Sequence, residues 1–337
     1  MTSRTIYGTQ KTMELICPAG TPSALRAAVE AGSDAVYCGF RNETNARNFP
    51  GLNFDDEELR EGVAYAHSRA AKVLVALNTF ARAGNFGIWQ RAAEQAVSAG
   101  ADALIVADLG LIDWARKAFP EQRIHLSVQA AAATVPAIRF YVEHFGVRRV
   151  VLPRVLTVDE IAAIAADGAC EIEVFAFGGL CVMAEGRCLL SSYATGESPN
   201  MNGVCSPAAH VAYAQEGTDL AARLNGFTID RYPDGQPAAY PTLCKGRFSC
   251  GGKTMHVFEE PTSLNTIEIL PALQRAGVSA LKIEGRQRGK AYLTATVRAF
   301  REALDALHSG RQTQSPELSR FTEGSRQTVG SYRKTWR

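Results

Sequence analysis

A (β/α)8 TIM-like barrel with a long cysteine-bearing insertion after its seventh strand is the fold predicted for these 337 residues. Three observations predict it. A helix end, a glycine and a short apolar run recur at Gly32, Gly100, Gly146, Gly168 and Gly277. A glycine just past a helix closes its C-terminus with positive φ, and the apolar run after it suits a strand buried on both faces. Second, eight such runs can be read, at 13–17, 35–38, 73–77, 103–106, 124–128, 149–152, 172–176 and 280–284. Third, nearly all connections are short enough for serial β-α units and a parallel sheet. An open doubly wound sheet is the alternative, but it generally has fewer strands.

The elements follow in order. A polar tail, 1–12, precedes a barrel spanning 13–308. Amphipathic patterns at 22–31, 56–71, 88–99, 134–144 and 157–166 supply helices between strands. The 289–308 pattern after the last strand is the clearest. Between the seventh strand and a helix near 266–276 lies the one long excursion, with its cysteine-bearing insertion at 181–263, rich in Gly, Pro, Asn and Cys. A loop that long in a compact domain is functional or a subdomain, and in a barrel it leaves from the face that carries active sites. The polar tail 309–337 has no periodicity and is expected to be mobile or to drape over a partner.

Composition sets limits. With 46% apolar and 21% charged residues and a net charge of +2, no strong pull on nucleic acid or membrane is implied. No run reaches the roughly 18 apolar residues of a membrane span. Met1 to Lys11 is polar and lacks the apolar core of a secretory signal. A cytoplasmic location is the expectation, with eight cysteines kept reduced.

Four of those cysteines are grouped. Cys181, Cys188, Cys205 and Cys244 follow the spacing C-x6-C-x16-C-x38-C, which is not the paired pattern of a zinc ribbon. It suits thiolates gathered from irregular loops, as an iron–sulfur cluster requires; structural zinc and buried thiols are the alternatives. Cys250 rivals Cys244 for the fourth place, whereas Cys17, Cys38 and Cys170 lie on or beside strands as core residues.

Polar side chains follow several strand runs: Asn78, Gln129, Arg154, Glu284 and Arg286. Barrel enzymes place catalytic groups there. Arg154, Glu284 and Arg286 are the candidate catalytic residues, the two arginines suiting a carboxylated ligand through bidentate contacts. A salt bridge closing the mouth, Glu284 with Arg286 or Lys282, is the alternative. Arg47 and Lys245 are further candidates. Gly251-Gly252-Lys253-Thr254 imitates a phosphate loop, but Arg247 stands where the first glycine is required. Neither H-E-x-x-H nor G-x-S-x-G occurs.

The segments Glu14 to Gly20, Asn45 to Phe49, the Cys181–Cys188 run and Lys282 to Arg286 together resemble the collagenase-like peptidase family U-thirty-two, over about 13–308. Gly179 departs from the family's usual serine or alanine. Within the family, the short chain and the phrase Phe177 to Gly196 are most similar to a ubiquinone-biosynthesis branch. That resemblance implies a 4Fe-4S cluster on Cys181, Cys188, Cys205 and Cys244. It implies a heterodimer with a paralogous subunit and oxygen-independent hydroxylation of a prenylated aromatic ubiquinone precursor, with prephenate as the oxygen source. With every iron ligated by cysteine, electron transfer is the natural use of such a cluster, and structural support the plainer one. Three rivals follow: an RNA base hydroxylase of the same family, disfavoured by the charge balance; a cluster-bearing accessory scaffold whose paralogue does the chemistry; and a peptidase.

Overall fold

The computed structural model describes residues 12–199, 205–311, 318–323 and 326–333. Seven parallel strands come first: β1 (Glu14–Pro18), β2 (Ala35–Cys38), β3 (Lys72–Leu77), β4 (Ala103–Val106), β5 (Arg123–Leu126), β6 (Arg149–Val151) and β7 (Glu171–Gly179). The insertion then contributes β8 (Val211–Glu216), β9 (Asp219–Leu224), β10 (Phe227–Tyr232), β11 (Arg247–Cys250), β12 (Lys253–His256) and β13 (Ser263–Asn265). The eighth barrel strand is β14 (Ala280–Ile283). It pairs in parallel with β1 through Glu14 and Ala280, and with β7 through Val174 and Leu281. That double pairing closes the barrel.

Local chemistry explains the intervening helices. Thr21, Asp55, Asp108, Thr134 and Thr157 each cap a helix start with a side-chain oxygen, and Asp55 and Thr157 complete capping boxes with Glu58 and Glu160. The helices lay their apolar stripes on the outer wall. Inside, Ile16, Leu74, Ile105 and Tyr37 interleave with Ala35, Ala76, Ala103 and Ala280. Large and small side chains alternate to fill the interior.

The N-terminal half of that interior is charged, which the apolar strand runs did not announce. Arg149 lies 2.6 Å from both Glu14 and Glu171. Lys282, projecting inward, is 2.6 Å from the fully buried Glu173 and 4.0 Å above the Tyr37 ring. The alternative of a Glu284–Lys282 bridge is thereby corrected, because Lys282 faces inward from β14 toward β7.

Two further expectations change. The insertion is not wholly irregular: β8, β9 and β10 form an antiparallel sheet, and β11 and β12 a hairpin. Asn225 and Gly226 turn the first with φ of 47° and 82°; Gly251 and Gly252 turn the second with 59° and 78°. Both are two-residue turns with positive φ at both positions, so the apparent phosphate loop is a hairpin tip. The tail is the second correction. Its described part folds back on its own chain, with Leu318, Gly330, Ser331 and Tyr332 buried and β15 (Gln327–Thr328) parallel to β13. Residues 1–11 of the N-terminal tail lie outside the described residues.

Candidate active site at the barrel mouth

Strand β7 overruns the barrel rim. Its last residues, Phe177 to Gly179, pair antiparallel with β13 and so carry the insertion over the C-terminal face. Gly178 makes this possible: at φ 125°, a Cβ there would lie 2.8 Å from the Glu284 side chain. Glu284 is thus drawn in to accept the Gly179 N–H at 3.0 Å, with Arg47 3.9 Å away. Burial works against its charge, but Arg47, Arg154, the Gly179 N–H and Lys245 together hold its carboxyl below the usual range.

Arg154, in the loop just past β6, is buried and fully engaged. Its Nε is 2.6 Å from Glu185 Oε1, its Nη1 donates to the Gly179 carbonyl, and its guanidinium stacks 4.0 Å over Phe175. Burial opposes its charge, yet Glu185, Cys181 and Glu284 more than offset this and raise its pKa. Glu185 lies between Cys181 and Cys188, so this pair ties the cysteine loop to the barrel rim. Gly186 completes the attachment: at φ 81°, its α-carbon packs where a Cβ would come within 2.1 Å of the Gln129 carbonyl oxygen.

Arg286 differs from Arg154 in its surroundings. It is 5% exposed and its Nη1 donates to Asn45 Oδ1 at 2.6 Å, joining two segments 241 residues apart. Tyr37 lies 5.7 Å away across its ring face. Burial pushes the guanidinium down to about 10. Lys245, beside Cys244, pairs with Glu323 of the tail. Asn78 accepts the Ala46 N–H at 3.0 Å, and Gln129 Oε1 is buried with no hydrogen-bond partner among the described residues.

The four grouped cysteines share this rim. Cys181 is mostly buried and its thiol donates to the Met183 carbonyl at 3.1 Å. Burial pushes Cys181 and Cys244 up to about 12, and burial also raises Cys188. The negative charge of Cys205 adds to the rise at all three, and that of Cys188 adds to it at Cys244. Such mutual influence requires one shared neighbourhood, since charges act strongly only at close range. Three thiols held protonated by burial, with Cys205 within electrostatic reach of each, form a soft donor set whose chemistry suits an iron–sulfur cluster. Among the described residues, no three His, Cys, Asp or Glu side chains stand close enough together to hold a metal ion as they are placed. Cys250 is exposed at the end of β11, while Cys17 and Cys38 are buried in strands.

Comparison with known proteins places this rim in a family. The model for peptidase family U32 matches residues 20–333. The chain belongs to that family. Among curated U32 relatives, a tRNA hydroxylation protein P of Escherichia coli is 34% identical, over 88% of this chain and 69% of its own. An uncharacterized protease of Methanocaldococcus jannaschii is 32% identical, over 88% and 66%. A 23S rRNA 5-hydroxycytidine synthase of Escherichia coli is 30% identical, over 93% of this chain but 42% of its own. The chain thus spans about two thirds of the length of the first two.

Sequence reasoning located the U32 mouth but not its internal partners. Asn45, Tyr37 and Glu185 went unassigned. Glu185 could have been found, because an acid inside a cysteine loop at a barrel mouth needs a cation. Asn45 stood in the Asn45–Phe49 segment of the family resemblance but with no role attached, and Tyr37 carried no signal.

Proposed function

We propose that this U32 protein is the iron–sulfur component of an oxygen-independent hydroxylase acting on a prenylated aromatic ubiquinone precursor. In this reading it resembles UbiU and works in a heterodimer with a paralogous subunit of the UbiV kind, with prephenate as oxygen donor. One observation carries the reading: Cys205 lies within electrostatic reach of Cys181, Cys188 and Cys244 in the insertion over the active-site face of a barrel whose relatives include proteins named for hydroxylation. Cys181, Cys188, Cys205 and Cys244 would hold a 4Fe-4S cluster. When bound, it would supply one-electron transfer. The chain's own residues do the rest: Arg154 and Glu185 orient the ligand loop, and Lys245 with Glu323 holds the Cys244 turn.

The test is anaerobic purification with the co-expressed paralogue, followed by iron and sulfide analysis and an absorption spectrum. About four irons and four sulfides per chain are expected, and Cys188→Ala should remove them together with anaerobic quinone synthesis. Colourless, iron-free protein that still supports that synthesis would end the proposal.

A second reading has a specific observation in its favour, since several relatives are named for tRNA hydroxylation or rRNA hydroxycytidine synthesis. Here the same site would act on an RNA base. Deleting the gene separates the two: loss of a hydroxylated base with normal quinone content selects RNA, and the reverse selects the quinone precursor.

A further inference from the structure

The charges at the mouth pair off almost completely. Arg154 is matched by Glu185 and Lys245 by Glu323, and deeper in the barrel Lys282 is matched by Glu173. Glu284 faces Arg47 and the Gly179 N–H. Arg286 has no carboxylate within ion-pair distance among the described residues, although it is nine-tenths buried. Its one hydrogen bond, to Asn45, uses one of the five N–H donors of a guanidinium. A buried, uncompensated cation costs stability, so a fold that keeps one has a use for it.

The seat is built around that cation. Asn45 is held by two bonds of its own, donating to the Phe40 carbonyl at 2.9 Å and accepting the Arg47 N–H at 3.0 Å. Tyr37 forms a wall, its hydroxyl donating to the Ile283 carbonyl at 3.0 Å. Gly39 leaves the space, because a Cβ there would lie 2.6 Å from Asn45 Cγ and 3.0 Å from Arg286 Nη1. Gly20 does the same for the backbone, with a Cβ position 1.9 Å from the Arg286 carbonyl oxygen. Each contact fixes Arg286 without neutralising it.

We propose that Arg286, oriented by Asn45, is the anchor for a carboxylate of a small-molecule substrate bound at the barrel mouth. An incoming carboxylate supplies the missing counter-charge and makes charge-assisted bonds to the remaining guanidinium N–H groups. Arg154 is not part of this anchor, because its guanidinium already answers Glu185. The choice of prephenate as a probe rests on the function proposed above, whereas the anchor does not.

The experiment measures thermal unfolding and ligand binding on the full chain as purified, using prephenate and malonate as separate probes. For the wild type, at least one probe should raise Tm. Arg286→Met should weaken binding of that probe about 10- to 100-fold, while the ligand-free protein unfolds at the same temperature or higher. Arg286→Lys should recover part of the affinity. Stabilisation by malonate but not prephenate keeps the anchor and removes prephenate from the proposed function. Undiminished binding by Arg286→Met overturns the anchor and leaves prephenate in place. A large fall in ligand-free Tm also overturns it, because Arg286 would then be a structural brace. No response to either probe overturns it too.

Discussion

Arg154 and Arg286 look alike in the sequence, each an arginine just past an apolar strand run, and both suggested a carboxylate clamp. Their neighbours separate them. Arg154 has a carboxylate at 2.6 Å, an aromatic face at 4.0 Å and a backbone carbonyl, so it is a strut for the cysteine loop. Both partners are buried, and removing one acid strands a cation inside protein. Glu185→Gln should therefore cost about 3–5 kcal/mol of stability, read by chemical denaturation. The double variant Arg154→Met with Glu185→Gln should recover much of that loss, giving a large coupling energy in the cycle closed by the single variant Arg154→Met. Equal losses in the single and double variants would show that the pair does not act as a unit. The sequence made both arginines visible because strand ends can be read from apolar runs. It could not say which was taken, because Glu185 lies 31 residues beyond Arg154 on another loop.

At the scale of elements, the barrel strands were legible and the insertion was not. Barrel strands announce themselves as buried apolar runs bounded by glycine. The insertion strands are short and half exposed, as in Val211–Glu216, and their main signal was the Asn225-Gly226 turn. The tail was illegible for another reason. Its order comes from scattered contacts with distant segments rather than from periodicity. Tyr332 donates to the Phe175 carbonyl at 2.7 Å, Ser331 donates to the Arg154 carbonyl, and Glu323 reaches Lys245. These contacts form a clasp across both ends of the cysteine-bearing excursion. A chain ending after Arg311 keeps every barrel pairing but loses β15 and the burial of Leu318 and Tyr332. Its far-ultraviolet spectrum should stay near that of the full chain, while amide exchange at Ser263–Asn265 and proteolysis within 181–263 rise at least tenfold. Exchange equal to that of the full chain would show the clasp to be dispensable.

The whole molecule combines a neutral-looking surface with a charged interior, and this combination sets its response to acid. His125, on β5, is 2% exposed and sits among Arg149, Arg123, Lys282 and Lys72. Glu171 and Glu173 enter the same region from β7, and Glu14 from β1; their charges are taken up by Arg149, Arg123 and Lys282. The His125 Nε2 faces the Arg123 Nε at 3.0 Å and so accepts from it; Nδ1 has no partner among the described residues. Burial first, and then the four cations, hold the ring neutral to well below its usual pKa. The sign follows from linkage. Once unfolded, the ring takes a proton near pH 6.5; the folded ring does not until the pH is far lower. Stability from His125 is thus complete above about pH 6.5 and is lost as pH falls toward the depressed folded value, at about 1.4 kcal/mol per pH unit. The depressed carboxyls of Glu14 and Glu171 act in the same direction, but only below their unfolded value of about 4.3. Between about pH 5 and 6, the histidine is therefore the buried group that bends the curve. His125→Leu should flatten the denaturant midpoint across that interval while leaving the fall below about pH 4.3 in place. An unchanged slope in the variant would mean that the barrel interior admits a proton to His125 in the folded state, and that the cations around it are screened by water.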